Sequence, residues 1–251
     1  MSARILGSTT RRILAQLRHD HRTVGLLLVV PVLLLTLLYF MFENQPTIPG
    51  QPSTFDRVGL IMLGIFPFTI MFLITSIAML RERTTGTLER LLTTPLGKLD
   101  LLFGYGIAFG LAAAIQASVA SSVAFWLLGM QTAGGVGLVI LIAIANAVLG
   151  VALGLFCSAF AQTEFQAVQF MPVVVIPQIL LCGLFVARDQ MAGWLHAVSN
   201  VLPMTYAVEA LQQVGAYPEA TDTMWKDLAI IAGCVMLALI LAAATLRRRT
   251  P

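Results

Sequence analysis

RERTTGTLERLLTTPLGKLDLL, residues 81–102, is a polar stretch that lies between two long apolar runs. Its four basic and three acidic side chains interrupt a chain of 251 residues that is 58% hydrophobic and only 11% charged, with a mean hydropathy of +0.89. Soluble domains carry about 25% charged residues. This composition is too apolar to cover a water-facing surface, and it predicts a membrane protein.

Six apolar segments are long enough to cross a hydrocarbon core of about 30 Å, which takes about 20 helical residues. None alternates apolar and polar residues as the strands of a transmembrane barrel do, so each predicts a helix. The segments are residues 24–42, 58–80, 101–128, 136–160, 167–186 and 228–246. We therefore expect an all-α membrane protein with six transmembrane helices in a single domain, residues 1–251.

The distribution of basic residues predicts the orientation of these spans. Twelve of the 15 lysine and arginine residues fall in the N-terminal segment, the loop after the second span and the C-terminal tail, and only Arg57, Arg188 and Lys226 fall in the alternate loops. Cytoplasmic loops carry the excess of basic residues. We expect a multi-pass protein of the cytoplasmic membrane with both termini in the cytoplasm. The same distribution accounts for the net charge of +3 without a nucleic-acid partner.

The N-terminal segment, residues 1–23, is basic and has a helical pattern of apolar residues. Ile5, Leu6, Ile13, Leu14 and Leu17 cluster toward one side at a period of 3.6 residues. This spacing favours an amphipathic helix on the inner leaflet over a disordered basic tail. Residues 24–246 then form the six-span bundle, and residues 247–251 form a cytoplasmic tail.

Several kinds of chemistry have no sequence support. The chain has no H-E-x-x-H, no G-x-S-x-G and no G-x-x-x-x-G-K-[ST], and its three cysteines show neither a disulfide framework nor a metal spacing. The span centres lack Asp, Glu, Lys, Arg and His, which ion-coupled carriers use. We expect no catalytic residue, metal or cofactor in this chain, and any energy for transport must come from a partner.

The polar stretch itself predicts a short amphipathic helix. Leu88, Leu91 and Leu92 lie at i, i+3 and i+4 on one face, Thr84 or Thr85 is a candidate N-cap, and Pro95 ends the helix. This helix either lies at the lipid interface or docks into a groove on a cytoplasmic partner, and periodicity does not separate the two. Three buried leucines stabilise a complex by about 5–9 kcal/mol, against an association cost of about 4–15 kcal/mol, so docking needs further contacts.

The stretch also resembles the segment after the second span in permease subunits of ABC exporters of the ABC-2 type. The matching features are Glu82-Arg83, Gly86-Thr87-Leu88-Glu89, Leu91-Leu92 and Pro95. PVVVIPQILLCGLFV, residues 172–186, and GWLHAVSNVLPMTYAVEALQ, residues 193–212, are similar to the fifth span and the outer re-entrant region of that family. The similarity extends over nearly the whole chain.

The resemblance implies a coupling helix at about residues 84–94 that sits on a separately encoded ATP-binding subunit. A second coupling element would lie at residues 162–166. The implied coupling residues are Arg83, Gly86, Thr87, Leu88, Glu89, Leu91, Leu92, Pro95, Gln162 and Glu164. It further implies two ATP-binding subunits that carry ATP and Mg, and a second permease, a copy or a relative, with the substrate path between the two permeases.

The outer region before the last span contains two further helical patterns. One begins at Gly193 and ends at Asn200, and Pro203 suits the first turn of a second helix through about Val214. Trp194 and Tyr206 suit an interfacial depth. With the resemblance, we expect re-entrant helices here in preference to an ordinary extracellular loop. Glu209 would bind a cation or cap a helix.

Three functions remain open. The short loops between spans favour export of a drug or another hydrophobic small molecule. Export of a lipid or glycan precursor is the alternative within the same family. A non-transporting membrane scaffold or assembly factor is a third possibility from a different class.

Overall fold

The computed structural model describes residues 3–46, 50–86 and 97–245, and within these ranges all regular secondary structure is helical. The helices are α1 Ala3–His19, α2 His21–Phe42, α3 Thr54–Thr84, α4 Lys98–Ser122, α5 Val136–Cys157, α6 Glu164–Leu181, α7 Gly193–Ser199, α8 Pro203–Ala216 and α9 Asp222–Thr245. A π-helical turn, Val123–Leu127, continues α4. Helices α2, α3, α4 with its π turn, α5, α6 and α9 are long and apolar enough to cross a membrane. The all-α fold with six candidate spans is confirmed.

Helices α3 and α5 form the centre of the bundle. Gly150 and Gly154 of α5 lie directly against the backbone of α3, where an added Cβ would overlap the carbonyl oxygens of Phe68 and Phe72. Asn146 of α5 donates its amide N–H to the Gly64 carbonyl of α3 at 3.0 Å. Small residues allow helix backbones to approach closely in a membrane, and one interhelical hydrogen bond fixes the register.

Side-chain caps set several span boundaries that differ from the predicted ones. Helix α3 starts four residues before the predicted residue 58, because Ser53 and Asp56 form a capping box. Helix α9 starts at Asp222 and not at residue 228, and the Thr221 hydroxyl accepts the Met224 N–H at 3.2 Å. Helix α6 ends at Leu181, and Gly183 then adopts a φ of 92°, a conformation that favours glycine.

Helix α1 packs against the bundle. Ile13 and the partly buried Leu14 and Leu17 join a core cluster with Leu101 and Tyr105 of α4. The predicted N-terminal helix is therefore present, and its apolar side contacts protein. Apolar periodicity alone does not distinguish a protein contact from a lipid contact.

A single residue, Asp20, separates α1 from α2. Its carboxylate accepts the backbone N–H of Thr23 at 3.1 Å and the Thr23 hydroxyl at 2.6 Å, which caps α2. The hydrogen bonds from the Thr23 side chain and then its backbone hold the pKa of Asp20 below its ordinary value. Helix α1 therefore ends, and the first candidate span begins, within one residue.

Candidate functional site

The C-terminal end of α3 leads into the polar stretch that resembles a coupling helix. Thr84 and Thr85 belong to this end, since the Thr84 hydroxyl donates to the Leu80 carbonyl at 3.2 Å and the Thr85 hydroxyl to the Arg81 carbonyl at 2.8 Å. Thr85 is the C-cap, and Gly86 follows with a φ of 72°. This left-handed glycine is a common helix stop. Both residues close this helix, and their predicted role as a cap of the next helix concerns a segment outside the described residues and stays a prediction.

Six of the predicted coupling residues lie outside the described residues: Thr87, Leu88, Glu89, Leu91, Leu92 and Pro95. Both flanks of that segment, Gly86 and Gly97, are described. They fall at the same end of the bundle, where α1 crosses the start of α4, and we call this the α1 end. The coupling helix therefore stays a prediction whose position is bounded on both sides.

An ion pair joins the predicted second coupling element to the last turn of α3, which leads into the predicted coupling helix. Arg81 of α3 donates from Nε to Glu164 Oε1 at 2.7 Å and from Nη2 to Glu164 Oε2 at 3.1 Å. Both charged groups are more than half exposed, at 58% and 54%. Beneath the pair, Leu80 packs with Ala161 and Ala167 in a small buried cluster. The start of α6 is thus held against the end of α3 by an exposed ion pair and by a buried apolar contact.

The predicted second coupling element is an exposed turn at the start of α6. Gln162 donates its backbone N–H to Gln166 Oε1 at 2.8 Å, and Thr163 accepts the Gln166 N–H at 3.2 Å as the N-cap. Phe165, directly after Glu164, is 72% exposed. An exposed aromatic ring beside an ion pair is typical of a contact surface. Sequence analysis did not single out Phe165, although it lies inside the predicted turn.

A second polar junction ties the same turn of α3 to α1 and α4. Arg12 of α1 donates from Nη2 to the Tyr105 hydroxyl of α4 at 3.2 Å, and its Nη2 lies 3.7 Å from Glu82 Oε1. Glu82 directly follows Arg81. The last turn of α3 is therefore held on one side by α6 and on the other by α1 and α4. Arg12 and Tyr105 are 93 residues apart, and no local pattern predicts their contact.

Arg83, another predicted coupling residue, is partly buried at this end of α3. Its Nε and Nη2 atoms are buried and make no hydrogen bond to any residue of the described ranges. Arg83 lies three residues before Gly86, and the segment after Gly86 lies outside those ranges.

The four predicted outer residues lie around α7 and α8. Pro203 is in the first turn of α8, and Trp194 of α7 is largely exposed. The Tyr206 hydroxyl donates to the Asn200 carbonyl at 2.6 Å. Arg188 donates to the Glu209 carboxylate and to the Asn200 side chain. Glu209 therefore serves as the partner of Arg188, and one guanidinium links the loop before α7, the end of α7 and the middle of α8.

Asp227, in the second turn of α9, belongs to the same neighbourhood. It interacts electrostatically with Glu209 and Arg188, it is only 4% exposed, and its Oδ2 has no hydrogen-bond partner among the described residues. Sequence analysis missed it because the sixth span was expected to begin one residue later. Within the same part of the chain, no group of three His, Cys, Asp or Glu residues is placed to hold a metal ion.

The sequence is similar to a transporter family model and to several ABC transporter proteins. A family model described as ABC-2 type transporter matches residues 4–214. The chain is 26% identical over 171 residues to ABC transporter G family member 20 of Dictyostelium discoideum, which covers 67% of this chain and 23% of the relative. It is 26% identical over 158 residues to the probable multidrug ABC transporter permease YbhR of Escherichia coli (strain K12), covering 63% and 43%. It is 22% identical over 152 residues to the linearmycin resistance permease protein LnrN of Bacillus subtilis (strain 168), covering 59% and 39%.

The matched region of this chain corresponds to less than half the length of each of these relatives. The family model, by contrast, covers most of this chain and includes the polar stretch, five of the six candidate spans, α7 and most of α8. The chain belongs to the ABC-2 type transporter family.

Proposed function

We propose that this chain is a permease subunit of an ATP-driven exporter, moved by a separate ATP-binding subunit that contacts the α1 end. The observation that carries the proposal is the Arg81–Glu164 ion pair, which holds the predicted second coupling element against the end of α3, directly before the predicted coupling helix. A partner that grips residues 87–96 and the turn before α6 would act on two spans at once. Two contact elements would also supply more buried surface than three leucines can.

Motion at this end would travel through the bundle by packing. Helix α3 is central and lies against the glycine face of α5, so displacement of its last turn would move α3 and α5 together. Glu164 and the Leu80 cluster would carry α6 with them. Tightly packed helices transmit displacement as near-rigid bodies, because their interiors are not compressible on this scale. This provides a route from nucleotide-driven closure to a change of access across the membrane.

A second permease, a copy of this chain or a relative, would pack across the spans that this chain covers least. Within the most apolar 18-residue stretch of α2, and likewise of α6, only 17% is buried inside this chain, against 61% in α3. Between α2 and α4 lies an open groove of about 620 Å³ lined by Leu28, Val29, Val32, Leu33, Thr36, Leu37, Phe40, Val119 and Val123. We place the substrate path between the two permeases, along these apolar faces.

These apolar walls favour a drug or another hydrophobic small molecule as the substrate. Thr36 is the one polar side chain among the described residues that line the groove, and its hydroxyl donates to the Val32 carbonyl at 2.8 Å within its own helix. The printed names of two relatives, a probable multidrug permease and a linearmycin resistance permease, point the same way.

In this proposal the α1 end faces the cytoplasm, both termini lie there, and α7 and α8 dip into the outer leaflet. The exposed Trp126, Trp194 and Trp225 all lie at the opposite end from α1, as an interfacial aromatic belt requires. ATP and Mg would be bound by two ATP-binding subunits. The purified chain alone should therefore hydrolyse no ATP.

The test uses the complex purified with its ATP-binding subunit and placed in vesicles. Leu91→Asp should abolish dye export and reduce co-purification of that subunit, because a carboxylate would be buried in the docking face. Thr93→Asp, the same added charge on the other side of the expected helix, is the matched control. If Leu91→Asp left both export and co-purification at the control level, the coupling assignment would fail. Export of labelled lipid precursors but not of dyes would shift the substrate to the alternative class.

A further inference from the structure

We propose that the side of α1 facing away from the bundle binds the phosphate groups of anionic lipids in the adjacent leaflet. This side, the α1 basic face, is defined by Gly7, Arg11, Ala15 and Arg18. The proposal rests on the proposed function only in placing α1 at the cytoplasmic surface.

The apolar side of α1 is already occupied by protein. Ile13 is 2% exposed, Thr9 lies against Gly104 of α4, and Leu14 and Leu17 pack on the core. The arginine on this side, Arg12, has partners in Tyr105 and Glu82. Helix α1 therefore does not use its described leucine and isoleucine side chains to enter lipid, and any lipid contact must be made by its other side.

The other side carries positive charge without acidic partners. Gly7, Arg11, Ala15 and Arg18 are exposed at spacings of four, four and three residues, which places them on one helix face. Neither Arg11 nor Arg18 takes part in an ion pair with a described residue. The two arginines are about 10.5 Å apart along the axis, and Ala15, the small residue between them on this face, leaves their guanidinium groups uncovered.

The chain path keeps this face close to the membrane surface. Arg18 is three residues before His21, where the first candidate span begins, so it lies within about 10 Å of that point. The polar layer of each leaflet is about 5–7 Å thick. An arginine side chain at Arg18 can therefore reach a lipid phosphate without any rearrangement of the chain.

Charge and shape favour a lipid over a protein partner. Guanidinium binds phosphate through two parallel hydrogen bonds, which an ammonium group does not reproduce. Protein interfaces need a buried apolar or aromatic centre, and the α1 basic face offers only Gly7 and Ala15 besides its arginines. An acidic surface on the ATP-binding subunit is the competing occupant.

The experiment measures lipid retention by the full chain, purified without an ATP-binding subunit. The chain is equilibrated with equal amounts of phosphatidylglycerol and phosphatidylcholine, and bound lipids are counted by native mass spectrometry. We expect preferential retention of phosphatidylglycerol. Arg11→Gln or Arg18→Gln should each weaken it about fivefold, and the double variant about 25-fold.

Arg57→Gln, the same change at an exposed arginine at the opposite end of the bundle, is the matched control and should leave retention unchanged. Since Arg11 and Arg18 are exposed, these substitutions should not unfold the chain. An unchanged lipid ratio in the double variant would overturn the proposal. If the double variant kept the wild-type lipid ratio but no longer co-purified with the ATP-binding subunit, the proposal would also be overturned, because that result assigns the face to protein contact. Neither result depends on transport, so failure here is distinct from failure of the proposed exporter function.

Discussion

Reversing the charges of the Arg81–Glu164 pair should uncouple ATP hydrolysis from export. Glu164→Arg places two guanidinium groups where a bidentate contact of 2.7 and 3.1 Å now joins α3 to α6. Arg81→Glu does the same with two carboxylates. The double variant, Arg81→Glu with Glu164→Arg, restores opposite charges in exchanged positions and should recover much of the lost coupling.

The exposure of the pair limits the size of the effect. Side chains that are 58% and 54% exposed form a surface ion pair, and such pairs contribute about 0.2–1 kcal/mol. Since about 1.4 kcal/mol corresponds to a tenfold change in an equilibrium constant, loss of the pair alone changes coupling only about 1.4-fold to fivefold. Repulsion in the single reversals adds a similar amount. The expected loss is therefore several-fold and partial, because the Leu80 cluster still joins the helices.

The assay is the ratio of ATP hydrolysed to lipophilic dye exported by the complex in vesicles, measured at low and high salt. Both single variants should raise that ratio, the double variant should lower it again, and high salt should weaken the differences because it screens exposed charges. If the double variant were as uncoupled as the worse single variant at every salt concentration, the pair would not link the two elements. Unchanged ratios in both single variants would contradict the same reasoning.

Three further predictions concern packing, the outer helices and topology. Gly150→Ala should lower the free energy of unfolding in mixed micelles by about 1–3 kcal/mol, because the new methyl group meets the α3 backbone. Gly137→Ala is the control, since a methyl group at this position of the same helix enters open space and should cause no loss. Equal stability of the two variants would contradict the packing of α5 on α3. Arg188→Gln should speed amide hydrogen exchange in α7 and α8 about fivefold, because Glu209 and Asn200 lose their common donor, and unchanged exchange would show that the arginine does not hold them. A cysteine at Thr47 should react with an impermeant reagent from outside, and one at Thr94 only after permeabilisation; the reverse pattern would invert the orientation.

The spans are predicted well from the sequence, because the hydrocarbon core sets the length that an apolar run needs in order to cross it. It predicts their ends less well, since these depend on caps such as Ser53 with Asp56 and Thr163 with Gln166. The Ser53 capping box is visible as S-x-x-D and would have moved the start of α3 to its observed place. The stop at Gly86 depends on a left-handed backbone that the sequence allows but does not require.

The candidate site was likewise predicted in part: the location of its elements follows from the sequence, but their tertiary contacts do not. The turn around Gln162 and Glu164 could be placed at the α1 end by counting spans, but its bond to Arg81 joins residues 83 apart. The contacts of Arg12 with α3 and α4, and of Arg188 with α7 and α8, also depend on tertiary packing. Helix α1 was predicted as a helix on the inner leaflet, whereas its apolar side packs on protein, since lipid and protein interiors select the same residues.

The most direct test of the central claim is photo-crosslinking from residue 91 in native membranes. A photoreactive residue in place of Leu91 should crosslink to an ATP-binding subunit, with a yield that changes when a non-hydrolysable ATP analogue is bound. The same probe at Thr93 should give much less product. Crosslinks from residue 91 to lipid alone, with and without nucleotide, would contradict the claim that this polar stretch is the place where the exporter is driven.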